Sequence, residues 1–190
     1  MIKRVLARIM MKNFVKKYMV SSPKIIQLYE KELIGYKITT TLRDNQQKKD
    51  IPPFFHEVYD NGKLAPLNID DDFNMYCAFS MHENGESFDY FVAQERQGEP
   101  RGKGDVTLKL QQSNYVTMEF IKRNNKAVHM IMMYVRQFWM KANGLTEKKA
   151  PAFIIYDNRF HDNYKQYGCK GDNYLGHPIA SLYLPVKTES

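Results

Sequence analysis

Cysteine is scarce in this chain. Cys77 and Cys169 are too few and too far apart for a disulfide framework, so the sequence predicts two reduced thiols in a cytoplasmic protein. No apolar run approaches the roughly 20 residues that cross a bilayer. The longest near-continuous ones are Met130–Val135 and Ala152–Tyr156, which excludes a helical membrane span. The N-terminus is basic but has no apolar core followed by a small-residue cleavage site, which argues against a secretory signal. Gly-x-Ser-x-Gly, His-Glu-x-x-His and Cys-x-x-Cys are missing. The glycine-rich stretch Gln97–Gly104 lacks the Gly-Lys-Ser/Thr spacing that cradles phosphate and reads as a hairpin or linker.

Charge of one sign is present, but only in one place. The formal charge is +7 at pH 7. Residues 1–30 hold seven basic side chains, Lys3, Arg4, Arg8, Lys12, Lys16, Lys17 and Lys24, against Glu30 alone. The other 160 residues are close to neutral, which fits a small-molecule binder better than a nucleic-acid reader. Ile2, Val5, Leu6 and Ile9 fall at helical spacing, so residues 1–22 form a basic arm, expected to be helical. Such an arm can serve a membrane surface, a nucleic acid or a targeting system. A helix docked on the body needs no partner, and that is the preferred reading. Residues 1–22 supply at most one helix, fewer than a helix-turn-helix needs, so sequence-specific DNA reading by this chain is not expected.

Residues 23–190 read as one α+β domain. Lys24–Tyr29 suits a capped helix or a half-buried strand. Leu33–Thr41 reads as a strand, and Asp50–Tyr59 as a short helix with prolines in its first turn and Gly62 as its stop. Met75–His82 and Phe88–Glu95 alternate around the turn Glu83-Asn84-Gly85. Val106–Leu110 and Tyr115–Phe120 are strands again. Asn124–Asn143 is the longest helix, with Val128, Ile131, Met132, Val135, Phe138 and Trp139 on one face. Ala152–Tyr156 and Ser181–Val186 complete the set. The order strand–helix–strand–strand thus occurs twice, over about 25–95 and 106–187, as in two similar halves sharing one antiparallel sheet.

Metal and cofactor signals are weak, and neither is expected. His161, Cys169 and His177 fall on a polar loop at spacings that match no common zinc pattern. Asp70-Asp71-Asp72 reads as a solvated turn. The informative excess is aromatic: thirteen tyrosines and eleven phenylalanines, with Trp139 in addition. Tyr76, Tyr90, Phe91, Tyr115, Phe120, Tyr156 and Tyr183 project from both faces of the strands. They suit a core and an apolar ligand cleft equally well. Met130, Met133, Tyr134 and Met140 lie off the main face of the long helix, where the arm or a second copy of the chain would cover them.

Several stretches resemble one family. They are Pro23-Lys24-Ile25-Ile26 with Leu33-Ile34-Gly35-Tyr36, then Ile51-Pro52-Pro53-Phe54-Phe55, Phe88–Glu95, Tyr115-Val116-Thr117-Met118, Pro151–Phe160 and Ala180–Val186. In this order they resemble the effector-binding domain of bacterial AraC- and MerR-type multidrug-responsive regulators, also found alone in gyrase-inhibitor-like proteins, here without a helix-turn-helix. The resemblance implies a duplicated strand–helix–strand–strand fold, with Lys24–Tyr29 as strand. It also implies a groove between the halves for flat, apolar, often cationic compounds. By that analogy Phe54, Phe55, Tyr90, Trp139 and Tyr156 line the groove. Where the family places a buried glutamate, in Phe-Glu-x-Tyr-Asp, this chain has Ile154. A cationic ligand then loses its charge partner unless Glu95 or Glu119 substitutes. Ile154 also weighs against the hydrolysis of strained-ring compounds ascribed to some relatives, since an alkyl chain cannot act as a base. The expected function is therefore non-enzymatic effector binding, as a stand-alone and transcription-associated sensor, with a homodimer left open.

Overall fold

Strand pairing carries the repeat inferred from element order. The computed structural model describes residues 11, 13–64, 73–96, 106–170 and 173–187. Its strands are β1 (Lys24–Leu28), β2 (Lys31–Thr41), β3 (Met75–Met81), β4 (Ser87–Glu95), β5 (Val106–Leu110), β6 (Ser113–Ile121), β7 (Thr146–Glu147), β8 (Ala152–Tyr156), β9 (Cys169–Lys170), β10 (Asn173–Tyr174) and β11 (Ile179–Lys187). The helices are α1 (13–18), α2 (Gln47–Tyr59), α3 (Asn125–Tyr134) with its continuation to Ala142, and α4 (Asn158–Tyr167).

Among the described residues, nine strands form one antiparallel sheet in the order β1-β6-β11-β8-β3-β4-β2-β5, with β7 beside β11. The two halves meet at β3 and β8, where Cys77 opposes Ile154. Reading outward from that pair gives β4, β2, β5 on one side and β11, β6, β1 on the other. The first strand of each repeat therefore crosses over and pairs with the opposite half: β1 with β6, and β5 with β2. Neither half closes its own edge, so the two are folded as one unit.

Period-two alternation divides the sheet's side chains between two cores. One face packs against the helices: Met75, Cys77, Tyr90, Val92, Met118, Phe120, Ile154, Tyr156 and Leu182 meet Phe55, Val58, Ile131, Val135 and Phe160. The opposite face carries Leu33, Tyr76, Phe91, Tyr115 and Phe153, with Ile26, Leu28, Val106 and Leu108 added from the crossed-over edge strands. Of the seven strand aromatics, Tyr90, Phe120 and Tyr156 take the first face and Tyr76, Phe91, Tyr115 and Tyr183 the second.

Several expectations change in detail. The first helix starts at Gln47, so Pro52 and Pro53 lie inside it and not in its first turn. Asp50 does not cap it; its carboxylate accepts from Thr40 Oγ1 at 2.6 Å and Gln46 Nε2 at 2.7 Å, tying the extra turn to β2. The long helix is capped by Asn124, whose side chain accepts from Ala127 N, and ends at Gly144 with a φ of 66°. Between them Val135–Trp139 forms a π turn, in which Met140 N–H bonds Val135 O. The added residue rotates the buried stripe, so Met140 and not Trp139 follows Val135 into the core.

The polar stretch expected as a loop holds α4. Asp157 caps it by accepting from Arg159 N, and Phe160 and His161 are buried on its inner face. Part of the N-terminal arm also belongs to the packed domain. Val15 of α1 is fully buried in the helix-side core, Met19 bridges Phe120, and Val20 N donates to Glu119 O at 2.9 Å. The expectations for residues 1–10, for Asp70-Asp71-Asp72 and for Gln97–Gly104 lie outside the described residues.

Candidate functional site

The two halves share an aromatic interior on the helix-covered face of β3 and β8. Phe55 of α2 stacks on Tyr59, one turn on, with centroids 5.4 Å apart, and meets Tyr156 edge-on at 6.2 Å. Tyr156 lies 4.4 Å from Phe160 of α4, and Phe160 is stacked on Tyr164 at 6.0 Å. Tyr174 of β10 closes the group, 5.3 Å from Phe160. Three elements of the second half and one helix of the first are thus in ring contact at the junction.

Polar groups are threaded through these rings. The Tyr90 hydroxyl hydrogen-bonds the Cys77 thiol, and burial pushes that thiol's pKa up to about 12. Burial likewise holds the Tyr90 and Tyr156 hydroxyls well above the usual tyrosine range. All three are neutral at physiological pH. His161 Nε2 lies 2.9 Å from the Tyr156 carbonyl and Nδ1 lies 2.8 Å from the Tyr59 hydroxyl. A carbonyl only accepts, so Nε2 carries the proton and Tyr59 donates to Nδ1.

Two buried polar side chains stand out. Gln94 is 4% exposed, and among the described residues neither its Nε2 nor its Oε1 has a hydrogen-bond partner. It alternates with Tyr90 and Val92, so it faces the helices. Its register partners run Ile34–Gln94–Met75–Tyr156, which puts it two strands from Tyr156, roughly 10 Å away. Lys122 is also 4% exposed. Its Nζ lies 3.7 Å from the Tyr174 ring centroid, and 5.6, 5.5 and 5.9 Å from those of Phe55, Tyr156 and Phe160.

Of the eight residues singled out in the sequence, Phe54, Phe55, Tyr90, Trp139, Ile154 and Tyr156 lie on the helix-covered side. Phe54 meets Tyr90 edge-on at 6.1 Å and lines a shallow recess of about 390 Å³ with Ile38, Pro53 and Glu57. Ile154 lies opposite Cys77 at the centre of the sheet. The two glutamates lie elsewhere. Glu95 is on the other face, 2.5 Å from Lys31 Nζ and 3.0 Å from the Tyr76 hydroxyl. Glu119, likewise on the other face, is held by Arg159 at 2.7 Å, which also grips Asp157. Neither supplies a carboxylate to the interior in place of the missing one.

Gln94, Lys122, Phe160, Tyr164 and Tyr174 are not among the residues that the sequence singles out for the site. Lys122 was visible in principle: it continues the parity of Val116, Met118 and Phe120 and so must point inward. No group of three or more metal-ligating side chains occurs among the described residues.

A duplicated sheet that gathers aromatic rings and a few polar groups at its junction is built as a small-molecule-binding domain. A family model described as integron-associated effector binding protein matches residues 24–186, and the chain belongs to that family. No curated protein matches it. Solved structures share the fold. SAV2435 bound to tetraphenylphosphonium is 23% identical and aligns over 88% of this chain and 94% of its own at a TM-score of 0.65. An integron cassette protein from the mobile metagenome of Vibrio cholerae is 17% identical over 90% of this chain and 99% of its own, at 0.61. The EcmrR C-terminal domain is 12% identical over 90% of this chain and all of its own, at 0.55. At these identities the likeness is one of fold.

Proposed function

We propose that this chain binds an aromatic small molecule, without chemistry, on the helix-covered face where its two repeats meet. Phe55, Tyr90, Ile154 and Tyr156 form the apolar contact surface, flanked by Phe54 and Trp139. The observation that carries this reading is Gln94. A buried amide with donor and acceptor both unmet costs stability unless something else meets them, and a bound ligand is one such partner. The aromatic junction supports the same face, and membership of an effector-binding family supports small-molecule binding as such. The base that hydrolysis would need is absent at position 154, and the interior hydroxyls and thiol stay protonated, which favours binding over catalysis. A cytoplasmic sensor fits this chemistry.

A thermal-shift screen of several hundred varied aromatic compounds tests it, because a ligand that binds only the folded state raises the melting temperature. Compounds that stabilise the wild type are expected, with the stabilisation reduced about tenfold in affinity by Gln94→Leu, which deletes one polar contact of roughly 1.4 kcal/mol. No stabilising compound across such a screen removes the proposal.

A further inference from the structure

The aromatic box at the repeat junction already contains a cation. Lys122 leaves the end of β6 with the inward parity of Phe120, and its ammonium lies over the face of Tyr174 with Phe55, Tyr156 and Phe160 around it. Ring faces are electron-rich, and four of them around one ammonium are the arrangement that recognises quaternary ammonium groups. Here the cation is covalently attached. Its backbone is fixed as well, since Lys122 N donates to Pro178 O at 2.8 Å. The side chain therefore enters the box from a pinned strand end.

We infer that Lys122 is a tethered pseudo-ligand that sets the specificity of the effector site: it fills the place an organic cation would take and restricts the site to uncharged aromatic compounds. The inference rests on the helix-covered face being the effector site. Two features of the sequence agree with it. Position 154, opposite Cys77 at the centre of the sheet, is an isoleucine and places no carboxylate there to attract a cation. Glu95 and Glu119 are engaged on the opposite face. An incoming cation must displace Lys122 from rings it already contacts, whereas a neutral ring need only pack beside it.

The test pairs two probes of the same shape, phenyltrimethylammonium and tert-butylbenzene, titrated against the full chain and followed by the fluorescence of Trp139, the single tryptophan. Lys122→Met is expected to bind the ammonium at least tenfold more tightly than wild type, while affinity for the neutral isostere changes less than threefold. Lys122→Arg, which keeps a cation in the box, is expected to match wild type. Equal ammonium affinity in wild type and Lys122→Met overturns the inference, as does an equal gain for both probes, which would mean a cavity and not a vacated charge. A readout without ligand or mutation stands beside it. Ring currents should move the Lys122 side-chain methylene protons upfield of every other lysine in the wild-type NMR spectrum, and a spectrum with no displaced lysine overturns the inference. That spectrum involves no effector, so its failure is distinct from a silent ligand screen, which removes the underlying site.

Discussion

The Tyr59 hydroxyl and His161 Nδ1 lie 2.8 Å apart, although 102 residues separate them in sequence. Their rings are stacked at 5.5 Å with 20° between planes, so α2 of the first repeat is locked to α4 of the second by a hydrogen bond and a ring contact together. Phe73 also lies against the imidazole, with ring centroids 4.8 Å apart. The neutral imidazole is thus a structural part of the repeat junction.

This contact gives the protein an acid-sensitive seam. Burial holds the His161 pKa below its ordinary value of 6.5, with the Tyr156 carbonyl opposing in part. The unfolded chain then binds a proton more readily than the folded one, so stability is complete above about pH 6.5 and declines as pH falls below it. Melting temperature is expected to drop between pH 7 and pH 5, and His161→Gln, which cannot titrate, to lessen that drop. An unchanged slope in the variant would remove His161 as the source.

Gln94 sets stability against binding. Its amide is buried without a partner among the described residues, a condition that costs about 1–3 kcal/mol. Gln94→Leu is nearly isosteric and deletes the unmet groups, so chemical denaturation of the ligand-free protein should show a gain of about 1–2 kcal/mol. The same variant is expected to lose ligand affinity. A variant that is both less stable and equal in binding would mean that the amide does neither.

Gly35 permits the close approach of β2 to β4. A Cβ built there would sit 2.3 Å from Val92 O and 2.5 Å from Ala93 Cα, both backbone atoms that cannot swing aside. Gly35→Ala must push the two strands apart, its Cβ falling on the face of Leu33 and Ala93, away from the helices. A loss of about 3 kcal/mol is expected in denaturant unfolding, at the upper end of overpacking effects.

The sheet was the most legible part of this chain, because alternation and element order are local properties. Val106–Leu110 and Ala152–Tyr156 have the bounds read from sequence. The strand crossover was not legible, since the identity of a partner strand depends on contacts distant in sequence. The fourth helix was masked by its composition. Phe160 and Tyr164, four residues apart, are the aromatic pair that marks its inner face beside His161, among polar neighbours. Their apolar surface is hidden by rings from α2 and β10, which sequence spacing cannot supply. The π turn has no sequence signature that periodicity detects, and it decided between Trp139 and Met140. For the candidate site, six of the eight residues singled out share the helix-covered face, whereas the two glutamates do not. Glu95 and Glu119 alternate onto the outer face by the same parity that turns Lys122 inward.

The N-terminal arm separates charge from packing. Lys16 and Lys17 are exposed on α1, whereas Val15 between Phe14 and Lys16 is fully buried against the helix-side core. Val15→Ala removes two methyl groups from a packed site, a loss of about 2 kcal/mol from transfer and cavity together. Replacing both Lys16 and Lys17 by Gln touches only solvated groups and should change stability by less than about 0.5 kcal/mol. Denaturant melts of the two variants beside wild type make the comparison. A large loss from the lysine pair and none from Val15→Ala would make the arm an electrostatic element, contrary to the packing of α1 on the domain.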